Sequence, residues 1–322
     1  VSVQPLPAHL PAQFSDQLLE ALQATFGKHA GHRMTHAKGV VAHGSFTAAP
    51  GAAQWSRAAH LQGRAVPVTL RFSNFSGIPQ TADAAPSATP RGLGIRFHAA
   101  AGPLAPAVTD IVAHSFDGFP VAAPGDFLAF LQAIAASVAE QHPDPAPLAA
   151  FLAQHPGAQR YLEAAPSAPA SYASIPYFGV NAFGLLAADG RLTMGRYRID
   201  PAAPLPAVPL EQAAALAPDY LAQELASRLA DGPAVMRLMF QLAAPGDDCA
   251  DGSIAWPHAG PAARREILLG ELRIDTLARD QQRAAGALAL DPGRLADGLA
   301  LSGDPMVPLR SAVYRLAACR RR

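Results

Sequence analysis

Charge is scarce in this sequence. Only 16% of its 322 residues are charged, and 25 basic residues balance 25 acidic ones. A chain of zero net charge carries no broad basic footprint, and no basic groove or aromatic ladder is written into it, so no nucleic-acid partner is expected. Long apolar runs are missing too. No stretch reaches 18 consecutive apolar residues, so no membrane span is expected. Cysteine is nearly absent: Cys249 and Cys319 allow one disulfide or two free thiols, and neither has zinc-site spacing. No phosphate-binding loop of the GxGxxG or GxxxxGK type appears, which argues against a nucleotide cofactor. The chain opens on Val1 and not on Met, so a signal peptide would already have left. Periplasm and cytoplasm both stay open.

What is present is apolar. Half of the residues are hydrophobic, with 31 prolines and 26 glycines between them. That composition fits a soluble globular protein with a large core and many loops. Residues 1–13 are Pro-rich and read as an arm. Ser15 or Asp16 caps a helix with Leu18, Leu19, Leu22 and Phe26 on one face. Strand character follows at 38–46, 66–73, 92–98 and 107–114, with partial alternation and Gly or Pro between. Pro124-Gly125-Asp126 opens a helix over 127–139, and Pro145 or Pro147 opens another to about Gln154. Strands resume at 173–187 and 190–199 around the hairpin signal Ala188-Asp189-Gly190. A helix is expected over 209–230, strands at 233–243 and 264–274, and helices and loops from 276 onward. Eight mostly antiparallel strands suffice to close a small barrel; an open α+β sandwich is the alternative on pattern alone.

The stretch Arg33-Met34-Thr35-His36-Ala37-Lys38-Gly39 stands out. A histidine at the start of a buried strand, with a cation near, can move protons in a dry pocket; it can equally be a core histidine bonded to a carbonyl. Four further motifs follow in order: Arg71-Phe72-Ser73, the run Pro90-Arg91-Gly92-Leu93-Gly94-Ile95-Arg96-Phe97, Asp110-Ile111-Val112, and Arg310-x-x-x-Tyr314. Each is weak alone. Together, over roughly 33–127 and the C-terminus, they resemble the haem catalases, and more nearly their short relatives, the catalase-related peroxidases.

The resemblance implies a fold and a site. The fold class is α+β, a single catalase-like domain over 1–322. Residues 1–32 form an arm and helix, 33–275 an eight-stranded antiparallel barrel with helical insertions, and 276–322 a helical segment carrying the haem ligand. The expected cofactor is one haem b. Tyr314 is the expected iron ligand and Arg310, one turn earlier, its cationic neighbour. His36 is the expected distal acid–base, and Ser73 its hydrogen-bond partner. Arg33, Arg71 and, more loosely, Arg321 in the basic run Arg320–Arg322 resemble the arginines that pair with haem propionates. Phe127 falls where the family packs a Phe against the haem.

Two departures follow. His114 stands where the family carries a distal Asn, and Thr35 precedes the catalytic histidine where many catalases have Val. The His114 imidazole changes the polarity and size of the pocket, and His114 joins the catalytic set. The chain is also shorter than a full catalase. These points favour a haem peroxidase that reduces hydrogen peroxide or organic hydroperoxides, oxidises a small organic donor and has weak or no catalase activity. Rearrangement of hydroperoxides, as in allene oxide synthases, true catalase activity, and a haem carrier or sensor remain as alternatives. A non-haem metal site is a further one, because His29, His32 and His36 share a helical face spacing. A monomer or homodimer is expected.

Overall fold

The computed structural model describes residues 12–100, 106–139, 141–164 and 168–321. The Pro-rich arm lies outside the described residues, except for Ala12 and Gln13, which open the first helix. The chain begins with α1 (Ala12–Phe26), β1 (Gly39–Ala48), β2 (Val66–Ser73), β3 (Gly92–Ala100) and β4 (Pro106–His114). A helical layer follows: α2 (Pro124–Ser137), α3 (Ala146–Gln154) and α4 (Pro156–Glu163). Then come β5 (Ala168–Pro169), β6 (Tyr177–Leu186), β7 (Leu192–Pro201), β8 (Ala207–Val208), α5 (Leu210–Ala213) and α6 (Tyr220–Asp231). The last part holds β9 (Ala234–Leu242), β10 (Glu266–Leu277), α7 (Gln281–Ala287), β11 (Leu299–Leu301) and α8 (Met306–Arg321).

Eight of these strands form a closed antiparallel barrel in the order β6-β4-β3-β2-β1-β10-β9-β7, shut by the pairing of β6 with β7. Closure removes the free edges that an open sheet exposes. The seam between β4 and β6 is thin, a single bridge between His114 and Phe178. β11 adds to β6, and the two-residue strands β5 and β8 pair with each other.

Alternation decides which face of each strand does what. Val66, Val68, Leu70 and Phe72 of β2 point into the core with Leu93, Ile95, Phe97 and Ala99 of β3. They meet Met236, Leu238 and Phe240 of β9 and Leu272 and Ile274 of β10, so side chains fill the barrel. Each fully buried Leu or Phe contributes about 1.5–3 kcal/mol. The intervening residues of β2, Arg71 and Ser73, therefore face outward. A second cluster, with Leu18, Ala21, Leu131, Met306 and Leu309, packs α1 and α2 against α8 on the outside of the barrel.

Every expected strand is present, with ends shifted by a few residues. Three local differences have plain causes. The helix expected over 209–230 is two pieces, because Pro218 denies α6 a continuous start. Residues Tyr172–Ser174 form a short 3-10 turn before β6. Helix α4, opened by Pro156, was not expected from the pattern. No helix among the described residues is long and apolar enough to cross a membrane.

Candidate active site

The outward faces of β2, β3 and β4 form the floor of a cleft of about 780 Å³, counting its open mouth. The register lines up two rows across these strands. Arg71 pairs with Gly94, which pairs with Val112; Ser73 pairs with Gly92, which pairs with His114. The other walls come from Leu19 and Leu22 of α1, Leu288–Leu290 after α7, and Val313, Tyr314, Ala317, Ala318 and Arg321 of α8. Two consecutive short motifs, read in sequence only as a pattern, thus become a surface: glycine occupies the middle strand of both rows.

His36 lies over that glycine floor. A Cβ on Gly92 would come within 2.6 Å of the His36 ring and 2.7 Å of Ser73 Oγ, so only glycine leaves room. Ser73 Oγ is 3.1 Å from His36 Nδ1 and donates, at 3.5 Å, toward the Gly92 carbonyl. A hydroxyl has one proton. Spent on Gly92, it leaves an oxygen lone pair to accept Nδ1–H and frees Nε2 of His36 as a base. Phe75 stands edge-on to the imidazole at 5.6 Å. The His36 main chain has φ +55°, a left-handed conformation that a non-glycine residue adopts only when its surroundings impose it. Here the His36 N–H donates to the Phe75 carbonyl, the next N–H to Ser76, and Arg71 Nη2 donates to the His36 and Ala37 carbonyls. Arg71 reaches them across Gly39, where a Cβ would crowd its guanidinium at 2.9 Å.

Burial, then the charges of Arg71, His114, Arg310 and Arg33, pulls His36 down to about 3. His114 falls likewise to about 3, first through burial and then through Arg310, against an opposing pull from the Phe116 backbone. Both rings are neutral near pH 7. Three guanidiniums, Arg33, Arg71 and Arg321, share the cleft, while no Asp or Glu among the described residues lines it. Burial first, and then the cations of Arg71 and Arg321, depress Arg33. Such a group calls for an anion with two or more oxygens. Arg33 Nη2 donates to the Leu288 and Ala285 carbonyls at 2.7 and 3.1 Å.

Tyr314 of α8 lines the cleft. Arg310 lies 5.9 Å from that ring and donates to Asn181 Oδ1, whose amide donates to Asp304 at 2.7 Å. Thus His36, Ser73, Arg33, Arg71, Arg321 and Tyr314 meet in one cleft. Three expected residues do not line it. Phe127 packs beside Phe119 in the helical layer, Arg310 turns to Asn181, and His114 sits one strand beyond Gly92. Sequence reasoning missed Asn181, Asp304 and the loop Leu288–Leu290; none carries a local pattern, since each joins the site only through tertiary packing. The histidine-cluster alternative finds no support: His29 bonds the Phe26 carbonyl at 2.8 Å, and no group of three His, Cys, Asp or Glu able to hold a metal occurs among the described residues.

The family model for Catalase matches residues 9–322. The chain belongs to the catalase family. It is 34% identical over 302 residues to a catalase-related peroxidase of Mycolicibacterium paratuberculosis, covering 93% of this chain and 92% of that protein. It is 30% identical over 308 residues to a catalase-related peroxidase of Synechococcus elongatus, covering 95% and 88%. Among solved structures it resembles a bacterial catalase (TM-score 0.77, 20% identity) and a fungal catalase (TM-score 0.77, 21% identity). It is matched over its whole length in both, yet spans only 63% and 66% of those chains. As a member of the catalase family, the chain is an oxidoreductase acting on peroxide, built on the catalase barrel.

Catalases hold haem through a tyrosine. The residues of this cleft fit that group. A phenol, a neutral imidazole and three guanidiniums without a carboxylate among them suit an apolar ring that bears one metal and two carboxylates.

Proposed function

We propose that this chain is a haem-dependent peroxidase that reduces hydrogen peroxide or organic hydroperoxides at the expense of a small organic donor, with little catalase activity. One observation carries the reading: the cleft joins Tyr314 to the Ser73–His36 pair and to three arginines, with no acidic side chain among the described residues that line it. The names of the two relatives, each a catalase-related peroxidase, support the same reading.

Tyr314 would hold the iron, and Arg33, Arg71 and Arg321 the haem carboxylates. The chemistry haem supplies when bound is reduction of a peroxide O–O bond. The overall balance is ROOH + AH2 → ROH + H2O + A. His36 handles the proton. Its neutral Nε2 accepts the hydroperoxide hydrogen and returns it to the departing oxygen, so that water or an alcohol leaves and not an anion. Ser73 keeps Nδ1 protonated during this exchange. Apolar side chains from α1 and α8 line the cleft and lower its local polarity, which strengthens polar contacts inside.

The test is an absorption spectrum of the purified protein, then addition of hydrogen peroxide with and without an oxidisable dye. A Soret band, dye oxidation and little oxygen release are expected. Vigorous oxygen release would make the protein a true catalase. Conversion of a lipid hydroperoxide to an allene oxide without donor would make it a rearranging enzyme. Absence of a haem band after reconstitution would remove the proposal.

A further inference from the structure

We infer that Asp291 is the positioning residue of the Tyr314 helix: one buried carboxylate ties α8 to the barrel at two points a turn apart. The purpose of the tie, holding an iron ligand in place, rests on the peroxidase reading above.

The segment between α7 and β11 is anchored first to the barrel. Its anchor is Asp110, the acid of the β4 motif. The buried Asp110 carboxylate accepts from Arg96 Nε and Nη2 at 2.8 Å, from Arg294 Nη1 at 2.7 Å and from the Asp291 N–H at 2.9 Å. Arg96 and Arg294 each reach on to the Ala289 carbonyl. Leu290 rests on the cleft floor, where a Cβ on Gly94 would come within 2.2 Å of its Cδ1. A shift of this segment would strip partners from a buried charge, which is strongly destabilising.

The same segment then grips α8. Buried Asp291 accepts at Oδ1 from Ser311 Oγ and, at 2.9 Å, from the Gly293 N–H; at Oδ2 it accepts from Arg315 Nη1 at 2.9 Å. The Gly293 N–H also donates to Ser311 Oγ at 3.1 Å. A Cβ on Gly293 would lie 2.4 Å from that oxygen, so the turn comes this close only as glycine. Ser311 and Arg315 share one face of the helix, a turn apart. One contact would let α8 roll or slide; two on a single carboxylate restrain both. Tyr314 stands between them in sequence, so the direction of its side chain follows from theirs. Ser311 is the stronger hold. It is 5% exposed, whereas the Arg315 side chain is 63% exposed and its ion pair is screened by water.

Two measurements test this. First, hydrogen exchange read by mass spectrometry compares purified wild type, Asp291→Ala, Asp291→Asn and Ser311→Ala. Asp291→Ala is expected to speed exchange in α8 by about tenfold or more while β1, β2 and β3 keep wild-type rates, with a smaller effect of Ser311→Ala in the same peptides. The amide oxygen of Asp291→Asn can still accept from Ser311 and Gly293, so that variant is expected to stay near wild type. Equal acceleration in α8 and the barrel strands would mean that Asp291 only supports the fold, and would overturn the inference. Unchanged α8 exchange would do the same. If Asp291→Ala does not fold, Ser311→Ala is judged by these criteria. Second, the Soret band and kcat/KM for hydrogen peroxide are compared in the haem-loaded proteins. A displaced band and a kcat/KM lower by about tenfold or more are expected in Asp291→Ala, both largely restored in Asp291→Asn. A wild-type band and rate in Asp291→Ala would overturn the positioning role even where α8 has loosened. A wild type that takes up no haem would instead overturn the parent reading, and with it the purpose assigned to the tie.

Discussion

Acid should unfold this protein early, and His60 offers the cleanest place to measure why. His60 is 1% exposed, wedged against Phe97 at 4.8 Å and Phe46 at 6.2 Å, and its Nδ1 has no partner among the described residues. Burial alone lowers it to about 4, against 6.5 for a free histidine. The sign follows from proton counting. Between these values the unfolded chain binds a proton that the folded chain refuses, so stability is present above pH 6.5 and is lost as pH falls toward 4. From pH 8 to pH 5, the loss from His60 is about 2 kcal/mol. His36 and His114, both at about 3, add about 2 kcal/mol each by the same linkage. Asp117 and Asp304, raised by burial, act in the opposite sense. A difference between variants isolates His60 from all of these. Urea unfolding at pH 8 and pH 5 should show His60→Leu losing about 2 kcal/mol less than wild type over that interval. Equal losses in the two proteins would refute the reasoning, since they would mean that His60 is protonated in the fold or open to water.

Other expectations concern the cleft. Gly92→Ala should displace the His36 ring or Ser73, lowering kcat/KM for peroxide about 10²-fold for a stability cost of about 1–3 kcal/mol, read by kinetics and by urea midpoint. His36→Ala should keep haem, by its absorption spectrum, yet slow the reaction with peroxide by about 10² or more; a wild-type rate would sink the assigned role. Tyr314→Phe should retain haem poorly through gel filtration and lose activity. Asp110→Asn should destabilise the fold by about 3–5 kcal/mol in denaturant titration, because the Asp110 carboxylate is fully buried and accepts from Arg96 twice at 2.8 Å and from Arg294 at 2.7 Å.

Much of this architecture was legible from the chain itself. The strands of the barrel announce themselves because each buries one face only: Leu70 and Phe72 alternate with Arg71 and Ser73, and that period of two survives in sequence. His36, Tyr314 and the arginines were legible because each sits in a short motif. What stayed hidden depends on the third dimension. Phe127 belongs to a helix whose rotation only packing decides, and it turns toward Phe119. Asn181 lies mid-strand in β6 and acquires Arg310 as a partner across 129 positions of sequence. The role of Gly92 is likewise invisible without the imidazole that lies on it. Pro218 was in plain view, and its effect on the helix expected over 209–230 follows from backbone chemistry alone.

The way the barrel closes has a consequence for biosynthesis. β1, completed at Ala48, waits for β10, which starts at Glu266, before its second edge is paired. The cleft waits longer: its floor comes from residues before 114, its opposite wall from residues 288 onward. Pairings of such high sequence separation form late and leave strand edges open meanwhile. On the ribosome, a half-made chain therefore has His36 and Arg71 but not the α8 wall that faces them. Completion of the cleft is thus the closing act of folding, and a chain cut short before Glu266 would leave the β1 edge unpaired and exposed to aggregation.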